Sequence, residues 1–118
     1  MLIIKTGIIF CMLSVFIGAF GAHSLEDMIG DKKDTFKTGV QYHMFHGLGL
    51  ILIGILSKVL EIDISSVGYL FIVGIILFSG SLYLISIYKY SFLGIIAPIG
   101  GLSFIMGWII LFYRINNY

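Results

Sequence analysis

Residues 6–25, 38–57, 64–88 and 90–113 contain no Asp, Glu, Lys or Arg, which makes uncharged runs of 20, 20, 25 and 24 residues. A helix crosses the hydrocarbon core of a bilayer with about 20 apolar residues. Each run therefore fits one crossing, and the last two leave room for tilt. None alternates apolar and polar residues, as the strands of a membrane barrel must. The predicted fold class is an all-α membrane protein. Its four transmembrane helices span about 3–23, 37–58, 66–88 and 92–113, within a single domain covering 1–118.

Composition supports this reading. Charged residues make up 11% of the chain and the mean hydropathy is +1.10, whereas soluble domains carry about 25% charged residues. A small globule has too much surface to cover with so few charges; lipid accepts the excess apolar side chains. The formal net charge of +1 points to neither nucleic acid nor a strongly acidic partner. Cys11 is the sole cysteine and sits in an apolar run without a basic neighbour to activate it, so it reads as a small hydrophobe. Lys5 followed by an apolar stretch and Ala19-Phe20-Gly21 has the outline of a cleaved signal. The run is kept as a span, because the basic lead is a single Lys and its loss would leave three spans.

Short connections predict an up-down-up-down bundle with both termini on one side. In residues 23–37, Ser24 and Asp31 are expected helix caps, and Gly30 an expected helix stop. Lys5, Lys58 and Arg114 then share one side, and Lys32, Lys33, Lys37 and Lys89 the other, a split too even to orient the chain.

Helices in lipid associate through close backbone approach and interhelical hydrogen bonds. Gly18 and Ala22 on the first helix, Gly39, Gly47 and Gly54 on the second, and Ala97, Gly101, Ser103 and Gly107 on the fourth are the expected packing positions. Packing accounts for these small residues better than a glycine-lined pore. Pro98 is expected to kink or unwind the fourth helix beside Gly100-Gly101. A polar cluster gathers toward the end of the bundle nearest residues 23–37: His23, Tyr42, His43, His46, Ser79, Tyr83 and Ser86. The plainer account is that these side chains tie helices together, with His46 bonded to Ser79 or Tyr83. The sharper one is a ligand site, since ionisable residues within a span are functional candidates. His23, His43 and His46 would supply three nitrogens for a metal only by converging; the plainer account is preferred, and no metal or other cofactor is assigned. No paired carboxylates, no Ser-His-acid spacing and no phosphate loop occur in the spans, so no catalytic residues are expected.

Four strings carry a resemblance to a known family: Gly18-Ala19-Phe20-Gly21-Ala22-His23; Thr38-Gly39-Val40-Gln41-Tyr42 with His46; Leu77-Phe78-Ser79-Gly80-Ser81-Leu82-Tyr83; and Pro98-Ile99-Gly100-Gly101 running to Gly107-Trp108. The chain resembles the domain of unknown function 423 family, which includes the eukaryotic transmembrane protein 256. Ser24, His43 and Ala97 depart from its usual Gly, Gln and Thr. The resemblance implies a small multi-pass protein of the plasma membrane with cytoplasmic termini, and it supplies no activity.

The expected function is that of a non-enzymatic membrane component that stabilises the bilayer or a membrane complex, with lipid, a second copy or a membrane protein as partner. The alternative is a lipid, quinone, haem or metal site, or minimal transport, in the polar half of the bundle. Single cysteines at Ser24, Ser65 and Asn117 in a Cys11→Ala background test the topology. Ser65 and Asn117 should label from one side of the membrane and Ser24 from the other. Labelling of Ser24 and Asn117 from the same side would exclude four crossings.

Overall fold

The structure is a computed structural model that describes residues 1–23 and 26–118. Four helices long and apolar enough to cross a membrane run Leu2–His23, Asp27–Leu60, Ser65–Tyr88 and Ser91–Asn116. In detail, α1 is Leu2–His23 and α2 is the short Glu26–Ile29, which passes through a 3-10 turn, Gly30–Lys32, into α3, Lys33–Leu60. The third crossing is α4, Ser65–Gly74, then a π-helical turn, Ile75–Ser79, then α5, Gly80–Tyr88. The fourth opens with a 3-10 segment, Ser91–Ile95, and continues as α6, Ala97–Asn116.

Contacts between glycines and facing residues run in opposite chain directions at each interface. Ile4 meets Gly54, and Gly21 meets Phe36, so α1 and α3 are antiparallel. Gly39 meets Tyr83 and Gly49 meets Phe71, so α3 opposes the third crossing; Gly100 meets Phe78 and Gly107 meets Phe71, so α6 opposes it too. This is the expected up-down-up-down bundle. α3 is central, with α1 on one side and α4–α5 on the other, and α6 lies on α4 and the π turn. Leu50, Ile53, Ile64, Val67, Phe71, Ile75, Phe104 and Leu111 form the apolar core, in the half of the bundle next to the α3–α4 connection.

The outside is apolar as well. Phe16, Ile105, Ile109 and Phe112 are among many exposed large hydrophobics. Such a surface is a liability in water and the normal state of a lipid-facing one. Tyr88 and Tyr90 stack at the α5 end with ring centroids 5.6 Å apart, in the manner of an interfacial aromatic belt.

The connections depart from expectation where charge and proline were read. Ser24 lies outside the described residues. Asp31 does not cap α3, which begins without a side-chain cap at Lys32; its carboxylate instead pairs with Lys89 at 3.7 Å. Lys89 Nζ also donates to the Ile29 and Ser86 carbonyls at 2.7 and 3.0 Å, tying the two connections on that side together. Gly30 adopts φ +55°, as a stop residue should. Between α3 and α4, Asp63 accepts from the Ser65 hydroxyl and amide at 2.7 and 3.0 Å. Those bonds, the hydroxyl's first, hold its carboxyl below the usual range.

Pro98 does not kink a helix. It stands in the first turn of α6, where its missing N–H is one the helix could not have used and its fixed φ suits the start. The irregularity lies in the third crossing, where Gly80 N–H reaches back to the Ile75 carbonyl across the π turn. Gly100 explains the pairing of the two. A β-carbon there would stand 2.8 Å from the Leu77 carbonyl carbon and from the Phe78 α-carbon, so α6 touches the π turn backbone to backbone. Gly101 was the expected contact. Its β-carbon would lie 3.7 Å from the Phe78 ring, an ordinary van der Waals distance.

Gly100→Ala should therefore destabilise the bundle by about 1–3 kcal/mol, the usual cost of overpacking. Gly101→Ala should be neutral or slightly stabilising, because Ala is the better helix former by up to about 1 kcal/mol. Thermal aggregation midpoints in detergent decide between them. Equal midpoints would mean that the π turn moves aside without cost.

Candidate functional site

The polar cluster divides into two separate pairs, both held by α3. His43 and His46 are three residues apart and both buried, and each turns to a different neighbour. His46 Nε2 accepts from the Trp108 indole N–H of α6 at 2.9 Å, and His46 Nδ1 lies 2.9 Å from the Tyr42 carbonyl. An indole N–H only donates, so Nε2 must hold a lone pair and Nδ1 the proton. The neutral Nδ1–H tautomer is thus fixed by the two bonds together. Its ring stacks on Phe104 at 3.6 Å between centroids and meets Phe71 edge-on at 5.0 Å. Both nitrogens are engaged, and neither is free for a metal.

His43 Nδ1 lies 2.8 Å from the Tyr83 hydroxyl of α5. Its Nε2 has no hydrogen-bond partner among the described residues, and the Phe10 ring of α1 stands edge-on to the imidazole at 5.6 Å. Gly39 makes the second pair possible. The Tyr83 ring lies across it, 2.9 Å from where a β-carbon would be, and the hydroxyl reaches one turn further to His43. The bare Gly39 carbonyl also accepts from Ser79 Oγ at 2.7 Å.

The expected bond from His46 to Ser79 or Tyr83 is corrected. Tyr83 serves His43, Ser79 serves the α3 backbone, and His46 takes Trp108. Ser86 is buried but donates to Leu82 within its own helix at 2.7 Å, so it joins nothing. Tyr42 is partly exposed and contributes its carbonyl and its ring, which lies 5.0 Å from Phe78. His23 is exposed at the end of α1. No group of three or more potential metal ligands converges among the described residues, so the three histidines do not form one site.

Packing positions fared unevenly. Gly18 faces Val40, Gly39 faces Tyr83, Gly47 faces Cys11 and Gly107 faces Phe71; Ala97 is buried. Ala22 is exposed instead of packed. Two glycines outside the expected set lie at tight α1–α3 contacts: Gly7, where a β-carbon would stand 2.8 Å from the Gly47 carbonyl oxygen, and Gly21, beneath the Phe36 ring. Ser103 was read as a packing residue and also donates to the Leu70 carbonyl at 2.6 Å. Trp108, which donates to His46, lies outside the polar cluster expected from the sequence. Its being the one indole in the chain is a sequence fact, but nothing local links it to a histidine 62 residues away.

Beside the His46–Trp108 pair is a cleft of about 310 Å³ walled by Tyr42, Phe78, Phe104, Ile105 and Trp108. A second, of about 540 Å³, lies between the end of α1 and the start of α3, lined by Gly18, Gly21, Ala22, Phe36, Val40 and the two lysines Lys33 and Lys37 among others.

Four apolar crossings around an internally bonded polar core define a multi-pass membrane protein. The chain belongs to the family described as protein of unknown function (DUF423), whose model matches residues 17–101. It is 46% identical over 111 residues to the UPF0382 membrane protein SH2409 of Staphylococcus haemolyticus, covering 93% of this chain and 91% of that one. It is 47% identical over 108 residues to the UPF0382 membrane protein YwdK of Bacillus subtilis, covering 89% and 88%. No solved structure matches.

Trp108→Phe removes the indole donor to His46 Nε2 and keeps most of the ring volume. An unsatisfied buried acceptor costs about 1–3 kcal/mol, although interhelical bonds in membranes average nearer 0.6 kcal/mol. The midpoint of thermal aggregation in detergent should fall measurably, and His46→Leu in the same background should add less than it does alone. Strict additivity of the two changes would dissolve the pair.

Proposed function

We propose that this protein is a non-enzymatic, multi-pass component of the plasma membrane that stabilises the bilayer around it or a larger membrane complex. The observation that carries the reading is the use of interior polar groups. Ser79, Ser103 and both nitrogens of His46 are engaged in bonds that join or brace helices, which leaves little polar capacity in the core for chemistry. The outer face of α1 supports it from the other direction. Its buried residues are Gly7 and Ser14, while Ile8, Ile9, Met12 and Val15 are open to lipid, a second copy or another membrane protein. Cytoplasmic termini belong to this reading, as the family resemblance implies.

A second reading has one specific observation in its favour. The cleft beside His46 is walled by four aromatic rings, Tyr42, Phe78, Phe104 and Trp108, and such walls suit a flat ligand such as a quinone or haem. Gentle solubilisation, followed by native-mass measurement and visible absorption on one sample, separates the two. The first reading expects a colourless particle heavier than one chain with its detergent. A stoichiometric chromophore, or a colourless monomer whose deletion from cells leaves membrane leakage unchanged, would overturn it.

A further inference from the structure

The cleft between α1 and α3 is chemically two-sided. Gly18, Gly21, Phe36 and Val40 give it an apolar wall, and Lys33 and Lys37 stand on the same lining. The two lysines are four positions apart on α3, so their side chains lie one turn apart on one face. A smaller chamber of about 220 Å³ shares Gly21, Ile29 and Lys33 with the cleft and adds Gly30, which extends it toward the connection. The depth is set by the sequence: Lys37 immediately precedes the uncharged run 38–57, so the lysines stand at the level where headgroups begin.

Among the described residues the neighbouring charges leave these ammonium groups without an ion partner. Asp31 is paired with Lys89, and Lys33 and Lys37 make no ion pair with the described residues. Glu26, Asp27, Asp34 and Lys32 also belong to this connection; Asp27, Asp34 and Lys32 do not line the cleft. The cavity thus offers two cations above an apolar slot that faces hydrocarbon. We propose that it holds one anionic phospholipid, with the phosphate between Lys33 and Lys37 and an acyl chain along Gly18, Gly21 and Val40. The occupant is a lipid rather than free phosphate because the slot is mostly apolar and because the surrounding bilayer supplies such molecules at high local concentration. This cleft shares no lining residue with the aromatic cleft beside His46, and the inference stands whether or not the structural role proposed above does.

Each lysine near an anionic headgroup is worth about fivefold in affinity, corresponding to roughly 1 kcal/mol. Native mass spectrometry of the detergent-purified chain, titrated with phosphatidylglycerol or phosphatidylcholine of matched acyl chains, reads this directly. One phosphatidylglycerol should be retained per chain, with a preference over phosphatidylcholine of roughly 25-fold from the two lysines together. Lys33→Gln with Lys37→Gln should abolish the preference, Lys37→Gln alone should remove about fivefold of it, and Lys32→Gln should leave it intact. Ala22→Leu, at an exposed position that lines the cleft, should weaken both lipids by filling the slot. Equal retention of the two lipids by the unchanged protein, or an undiminished preference in the double variant, would overturn the proposal. So would competition by soluble glycerol phosphate as effective as that by phosphatidylglycerol, which would mean that the lysines read a phosphate and the slot reads nothing.

Discussion

Hydrocarbon offers a polar atom no partner, and most of the interior of this bundle follows from that. Several side chains that carry a hydroxyl or ring nitrogen into a span close onto a neighbouring helix or onto their own turn, with His43 Nε2 an exception. Ser79 closes onto the Gly39 carbonyl, Ser103 onto the Leu70 carbonyl, and Trp108 onto His46, which in turn is bonded to the Tyr42 carbonyl. Individually such bonds are weak, averaging about 0.6 kcal/mol in a membrane. Their consequence is geometric. The three that run between helices, from Ser79, Ser103 and Trp108, are each satisfied at one rotation of the helices about their axes.

Close approach supplies the rest. Apolar burial cannot drive helix association where lipid is equally apolar, so dispersion between well-fitted surfaces has to. The tightest fits are backbone to backbone, and they occur where a glycine faces a peptide group: Gly7 on the Gly47 carbonyl between α1 and α3, and Gly100 on Leu77 and Phe78 between α6 and the third crossing. The second fit depends on the π turn, which widens the helix at the point where Gly100 rests. Ser81, just beyond the turn, donates its hydroxyl to the Leu77 carbonyl and so supplies that buried group with a partner.

The crossings were legible because they are a matter of run length between charges, and run length survives any detail of packing. The polar half was legible for a similar reason, since residues of one helix end stay together whatever the helix does. The pairings were not. Inserting one residue into a helical turn rotates everything beyond it by about 100°, so the π turn at Ile75–Ser79 changes which neighbours Tyr83 and Ser86 face relative to a regular helix. No residue in that segment announces it. Pro98 drew attention to the wrong crossing, because proline marks either a kink or a first turn and only the preceding 3-10 segment shows which. Gly100 and Gly101 are adjacent and alike in sequence, and they differ only in which one looks at the π turn.

The two histidines show how far an internal bond network limits function. Three residues apart on one helix, they look equivalent in sequence, and either one would serve as a ligand. In the bundle His46 is closed on both nitrogens, whereas His43 is closed on one. Opening His46 to a ligand would strand the Trp108 N–H in an apolar wall, a cost any ligand would have to exceed. His43 lines none of the four clefts, and its Nε2 is buried, with Phe10 of α1 packed edge-on to the ring. Among the described residues, the cleft beside His46 lies where the imidazole nitrogens are already used, whereas His43 Nε2 is buried away from the clefts. Accessible volume and charge without an ion pair among the described residues coincide at the edge of the bundle, where α3 emerges from the membrane with Lys33 and Lys37 beside the end of α1. Charge is inexpensive there, at the headgroup level, and costly a few residues deeper, which is why the core is closed and the edge is not.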